Sequence, residues 1–184
     1  MEERPLIEKY EMSLDYVGCH LGSDLMVAKL AVEPDLTDLL PYINAEAEKA
    51  KYIPALNWLK FKFRGYPVEH KGAAAWDVAI QKNTISVRMF RDKDTAALIC
   101  KEVVDYINDL YRRKDEITPS YKEWVQPRAL DIFKLLPKTN CKKCGEPTCM
   151  AFATKLVLER VSLEDCPELK PGSENYRLIS EMFY

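Results

Sequence analysis

The chain has 184 residues, 47% of them hydrophobic and 30% charged, the balance of a globular protein rather than a disordered or fibrous one. A formal net charge of -2 and a pI near 5.8 offer no overall basic field for a phosphate backbone, which argues against nucleic acid as a partner. No apolar run approaches the roughly 20 residues needed to span a bilayer, and Met1-Glu2-Glu3-Arg4-Pro5 leads into no apolar signal region, so the expected location is cytoplasmic.

In chain order, residues 1–118 read as an α+β domain, an antiparallel or mixed sheet with covering helices. Leu25 to Val32 is the first strand candidate. Pro34 and Asp35 suit a helix start, with Leu36, Leu39, Leu40 and Ile43 on one side. Pro41 either kinks that helix or begins a second one running towards Lys51. In Trp58 to Arg64, Leu59, Phe61 and Phe63 alternate with Lys60, Lys62 and Arg64, the period-two mark of a half-buried strand. Trp76–Gln81 and Thr84–Phe90, separated by Lys82-Asn83, read as a hairpin with Val78 and Ile80 against Ile85, Val87 and Met89.

From Asp94 to Arg113, Ala96, Ile99, Val103, Ile107 and Leu110 recur on one helical face, which is expected to cover the sheet. Ile117-Thr118-Pro119-Ser120 and Gln126-Pro127 interrupt the periodicity and mark residues 119–127 as a linker. Residues 128–184 then form a small helical domain, with a short helix over Ala129–Leu136 and another short one in the tail after Lys170.

Four of the six cysteines lie in this last part, and in a reducing compartment such a cluster points to metal rather than disulfides. Cys141, Cys144 and Cys149 are spaced C-x2-C-x4-C, and Cys166-Pro167 follows. Three close thiolates and one distant one can hold the corners of a single 4Fe-4S cubane. Gly145 permits a tight turn, and Pro167 stops the chain continuing as helix. Pro147-Thr148 suits the start of a helix through Arg160, whose first turn, with Cys149, would favour an anion. Phe152 and Leu156 would form an apolar wall. The rival occupant is zinc, although zinc ribbons pair two C-x2-C hooks and this chain has one.

The stretch Leu136-Pro137-Lys138-Thr139-Asn140-Cys141 through Thr148-Cys149-Met150-Ala151-Phe152-Ala153, closing at Cys166-Pro167, resembles the 4Fe-4S domain of the large subunit of the corrinoid iron-sulfur protein of the acetyl-CoA synthase/decarbonylase pathway. The same domain type occurs in the B subunit of the Rnf complex. The resemblance covers only the C-terminal third, and it implies Cys141, Cys144, Cys149 and Cys166 as ligands of one 4Fe-4S cluster. It also implies a redox partner protein related to corrinoid or acetyl-CoA chemistry. Lys142 stands where the family often has glycine.

The function expected is that of an iron-sulfur protein carrying single electrons to a partner redox or corrinoid enzyme in anaerobic metabolism. The alternative is a non-redox accessory protein with a structural cluster. No nucleophile-base or phosphate-loop signature suggests an enzyme. Lys138, Lys142, Lys143 and Lys155 surround the ligands, where they either offset cluster charge or form a docking rim. Cys100 reads as a core cysteine, Cys19-His20 as a weak candidate pair, and His70 as a solvated loop histidine.

Overall fold

The structure, a computed structural model, describes residues 4–16, 25–65 and 75–183. It divides into two compact units, Met1–Trp124 and Val125–Tyr184. Among the described residues no helix is long and apolar enough to cross a membrane.

The first unit is built on a six-stranded sheet of β1 (Tyr10–Tyr16), β2 (Met26–Val32), β3 (Glu48–Ile53), β4 (Trp58–Phe63), β5 (Trp76–Gln81) and β6 (Thr84–Phe90). The spatial order is β1-β2-β6-β5-β4-β3, with every neighbouring pair antiparallel. Registration puts Leu30, Ile85, Ile80, Leu59 and Tyr52 in one row across five strands, all buried. Ala28, Val87, Val78 and Phe61 form the next row. Each large apolar side chain removed from water in this way contributes roughly 1.5–3 kcal/mol, and the aligned rows fix the register because a one-residue slip would expose them all. A register shift beside Met26 pairs that residue with Phe90, and Phe90 is buried; the side chain of Met89 lies outside the described part.

Two helices, α1 (Leu40–Glu46) and α2 (Lys93–Arg112), pack with this sheet. The side chain of Asp92 caps α2 by accepting from the Thr95 amide at 2.7 Å. The expected face of α2, Ala96, Ile99, Val103, Ile107 and Leu110, is buried, and Cys100 joins it. Tyr106 lies against Phe61 and Phe63, with ring centroids 6.0 and 5.8 Å apart.

Two sequence expectations need correction. The segment after Pro41 does not run as helix towards Lys51, since α1 stops at Glu46 and β3 follows. Glu-Ala-Glu-Lys-Ala-Lys is strongly helix-forming by composition, but pairing with β4 buries Tyr52 opposite Leu59, and Lys49 adopts φ 55, which a helix cannot accommodate. The sheet also begins earlier than Leu25, because β1 pairs along its whole length with β2. Its alternation of Tyr10, Met12, Leu14 and Tyr16 with Glu11, Ser13 and Asp15 was the available signal.

Beyond α2 the chain stays on the first unit as far as Trp124. Ser120 donates its amide to the Pro41 carbonyl at 2.9 Å, and the Trp124 amide donates to Tyr52 at 2.8 Å. The Asn44 side chain donates to the carbonyls of Ser120 and Lys122 at 2.9 and 3.1 Å.

The second unit contains α3 (Ala129–Leu135), α4 (Cys149–Val157) and α5 (Glu174–Met182), with α3 against both of the others. Ile132, Leu136, Phe152, Leu156, Leu163 and Ile179 are among the buried residues of its separate core. Helix α4 ends three residues before Arg160, the expected limit. Glu159 takes φ 54, its amide donates to the Leu156 carbonyl, and the Arg160 amide donates to Lys155, each at 3.0 Å. This paired closure is a Schellman cap on a left-handed residue.

Asn108 offers a direct test of the first unit. Buried on α2, it donates to the Ile7 carbonyl at 3.0 Å and accepts from the Ile7 amide at 2.8 Å. Asn108→Leu strands both backbone groups of Ile7, so urea unfolding should show a loss of about 2–4 kcal/mol, whereas the visible absorption of any bound cluster stays unchanged.

Candidate metal centre

The chain from α3 to α4 turns repeatedly, and the backbone shows how. Lys138, Asn140, Lys142 and Gly145 all have positive φ, at 61, 48, 61 and 83°. Left-handed residues costing L side chains roughly 1–2 kcal/mol each recur here at short intervals, and they bend the C-x2-C segment into a compact loop. Asn accepts this conformation more readily than Lys. The glycine that the resembling family often has after its first cysteine corresponds to Lys142, whose φ is of the kind glycine takes freely.

Three features bring the cysteines to this loop. Thr148 caps α4, its hydroxyl accepting from the Ala151 amide at 3.1 Å, and so sets Cys149 in the first turn. The Asn140 side chain accepts from the Cys149 amide at 2.8 Å, joining the start of α4 to the residue before Cys141. A 3-10 turn over Leu163–Asp165, closed by a capping box with Ser162, delivers Cys166 into the apolar core. Cys141, Cys144, Cys149 and Cys166 thereby line one cavity. Cys141 is exposed, Cys144 and Cys149 are half-buried, and Cys166 is buried. Phe152 contributes to the cavity wall, whereas Leu156 lies in the core cluster.

The amides at the start of α4 are partly committed to the Asn140 and Thr148 side chains, so the helix offers an anion its dipole more than a set of open donors. Direct donors come from elsewhere. The Lys143 amide and the Thr139 side chain hydrogen-bond to Cys141 and hold its thiol below the usual range. Burial pushes the Cys166 thiol up, against the opposing effect of hydrogen bonds from the Leu169 and Glu168 amides, and the nearby Cys144 and Cys149 raise it further. Hydrogen bonds of this kind to sulfur stabilise thiolates and tune iron-sulfur potentials.

The donor set fits an iron-sulfur cluster by its chemistry. Two acidic residues, Glu146 and Glu168, also line the cavity, but each is held by a lysine. Lys155 meets the buried Glu146 at 2.6 Å, and Lys143 meets Glu168 at the same distance. Those pairs limit repulsion between the carboxylates and an anionic thiolate group. They also reduce the expected basic rim, leaving exposed Lys138 and Lys142 as its remaining members. Lys138 Nζ lies 6.0 Å from the centre of the Phe133 ring. Among the described residues no group of three His, Cys, Asp or Glu side chains is arranged to hold a single metal ion. The four cysteines instead share the lining of one cavity.

The other candidate residues separate from this site. Cys100 is fully buried on α2, where desolvation pushes its thiol up to about 12, as expected of a core cysteine. Lys60 and Lys62 approach Asp77 at 3.4 and 2.9 Å, and Arg64 pairs with Glu48 at 3.0 Å. Cys19, His20 and His70 lie outside the described residues.

Comparison with known proteins defines the class of the C-terminal segment first. Residues 136–168 match the family described as "Putative Fe-S cluster", which supports an iron-sulfur cofactor there. Among individual proteins, the chain is 56% identical over 54 residues to the acetyl-CoA decarbonylase/synthase complex subunit gamma of Methanothermobacter thermautotrophicus, over 29% of this chain and 12% of that protein. The corresponding subunit of Methanocaldococcus jannaschii is 66% identical over 41 residues, 22% of this chain and 8% of the relative. The corrinoid/iron-sulfur protein large subunit of Moorella thermoacetica is 55% identical over 38 residues, 21% of this chain and 8% of that protein. The chain thus spans about a tenth of the length of these curated relatives. No solved structure matches.

The loop makes two opposite substitutions informative. A Cβ at Gly145 meets nothing within 4 Å, so Gly145→Ala should cost only the conformational strain of its φ, about 1–2 kcal/mol. Lys142→Gly removes strain of the same kind and should leave stability unchanged or slightly improved. Denaturant unfolding of the cluster-loaded protein measures both.

Proposed function

We propose that Cys141, Cys144, Cys149 and Cys166 bind one 4Fe-4S cluster and that residues 128–184 serve as a one-electron carrier domain. What supports this reading is that all four cysteines line one cavity, graded from exposed Cys141 to buried Cys166. Such a cluster, when bound, exchanges electrons singly. Cys166 holds it to the core, the amides of Lys143, Glu168 and Leu169 favour the thiolate forms, and Phe152 limits water on one side. Exposed Cys141 leaves the site accessible to a docked protein. The names of the relatives suggest that this partner belongs to corrinoid or acetyl-CoA chemistry. A cytoplasmic site of action agrees with the dependence on reduced cysteines.

A second reading has its own support. Cys166 belongs to the apolar core of a short unit, and small domains often need a metal to hold them together. On that reading the cluster is a structural brace and the chain is a non-redox accessory protein.

Anaerobically purified protein should contain about four irons and four acid-labile sulfides per chain and show reversible one-electron reduction. Stoichiometric zinc without sulfide would refute the cluster assignment. A cluster that falls apart on reduction by strong low-potential donors would leave the structural reading in place. Cys144→Ala should lose the cluster or leave a three-iron form, whereas Cys100→Ala should leave the visible spectrum unchanged.

The exposure of Cys141 makes a further prediction about docking. Charge reversal at Lys138 and Lys142 should slow association with an acidic redox partner, and added salt should have less effect on the variant than on the wild type. Stopped-flow electron transfer at several ionic strengths measures both effects. The same reversal at Lys143 is a poorer probe, because its charge is already offset by Glu168 at 2.6 Å.

A further inference from the structure

We infer that Asn140 is a positioning residue for the metal centre, its side-chain oxygen setting Cys149 relative to Cys141 and thereby influencing cluster retention and redox behaviour. This inference rests on the proposed cluster, but the residue belongs to none of the ligand positions. Three observations converge on it. Asn140 immediately precedes Cys141, it lines the same cavity as the four thiols, and its Oδ1 accepts from the Cys149 amide at 2.8 Å across nine positions of chain.

The backbone explains why asparagine suits the position. Asn140 has φ 48, a left-handed conformation that asparagine adopts more readily than most residues with a side chain. Glycine would take the same φ but lacks the acceptor. Alanine lacks the acceptor and is strained, while aspartate keeps an acceptor of similar reach and adds a negative charge. The position therefore asks for two properties together, tolerance of positive φ and an oxygen directed at the first amide of α4.

The bond joins the C-x2-C loop to the start of α4. Cys141 and Cys144 share the C-x2-C loop, and Cys166 is fixed by the core. Cys149 begins α4 and is joined to the loop through Gly145, Glu146 and Pro147. The Asn140 bond closes that path at the ligand itself. Without it, the Cys149 amide turns to water or to a neighbouring acceptor, and the third sulfur loses its register with the first.

The test compares wild type, Asn140→Gly and Asn140→Asp, each loaded anaerobically. Three quantities are measured: the rate of iron loss to a chelator, the EPR spectrum of the reduced cluster, and its midpoint potential. Asn140→Gly preserves the backbone and removes one hydrogen bond, so iron loss should be roughly two- to tenfold faster and the EPR spectrum altered. Asn140→Asp should restore retention to near the wild-type rate while lowering the midpoint potential, because a negative charge beside the cluster disfavours an added electron. Hydrogen exchange on the same loaded proteins gives a further readout, with faster exchange of the Cys149 amide expected in Asn140→Gly alone. The inference is overturned if the glycine variant matches wild type in retention and spectrum, or if the aspartate variant loses iron as fast as the glycine variant. Failure of the underlying site reading is distinguishable, since wild type itself would then take up no iron and sulfide.

Discussion

Everything in the C-terminal unit depends on closing the chain between Cys149 and Cys166. The first three cysteines are neighbours by covalent connection, but the fourth must be brought back by packing. The core around Ile132, Phe152, Leu156, Leu163 and Ile179 provides that closure, and Cys166 is itself a member of it. Burial costs the thiolate of Cys166 solvation, as its raised titration range shows. The amides of Glu168 and Leu169 offset part of that loss with hydrogen bonds to sulfur. The fourth position is therefore both an apolar anchor and a polar one.

Charge around the cavity follows the same logic. The two glutamates that line it, Glu146 and Glu168, are each held at 2.6 Å by a lysine, so neither presents a bare carboxylate to an anionic group. The Lys155–Glu146 contact places a nearly buried carboxylate beside the cavity, where leaving it unpaired would be costly. These contacts change the meaning of the four lysines near the cysteines. Lys143 and Lys155 pair with carboxylates of the site, and Lys138 and Lys142 remain to interact with other molecules. A sequence shows only their proximity, because an ion pair such as Lys143–Glu168 joins residues 25 positions apart.

What could be read from the sequence followed periodicity. The face of α2 and the alternating rows of β4, β5 and β6 were legible because burial repeats with the geometry of the element. β1 carries an equally regular alternation, Tyr10-Met12-Leu14-Tyr16, but its polar partners and edge position make the signal resemble an exposed segment. β3 was hidden for a different reason, since Glu46 to Lys51 is helical by propensity and its later part becomes a strand only through pairing with β4. At the candidate site, cysteine spacing identified the residues that line the cavity. It could not identify the left-handed turns at Lys138 and Lys142, because lysine carries no preference for them, whereas Gly145 and, more weakly, Asn140 are residue types that favour positive φ. The bond from the Cys149 amide to Asn140 was also invisible, since asparagine before cysteine carries no pattern.

The two units also differ in what can sustain them. The first buries one row across five strands, another across four, and one face of a twenty-residue helix, enough apolar surface to account for a fold without metal. The second has about sixty residues and three helices of seven to nine residues, too short to be stable in isolation. Its loop holds left-handed residues at a conformational cost, and its core includes a thiol that resists ionisation. The left-handed turns oppose folding, whereas the buried neutral thiol of Cys166 packs as a small apolar group. Strain and burial thus meet in one place, since the strained loop and Cys166 line the same cavity.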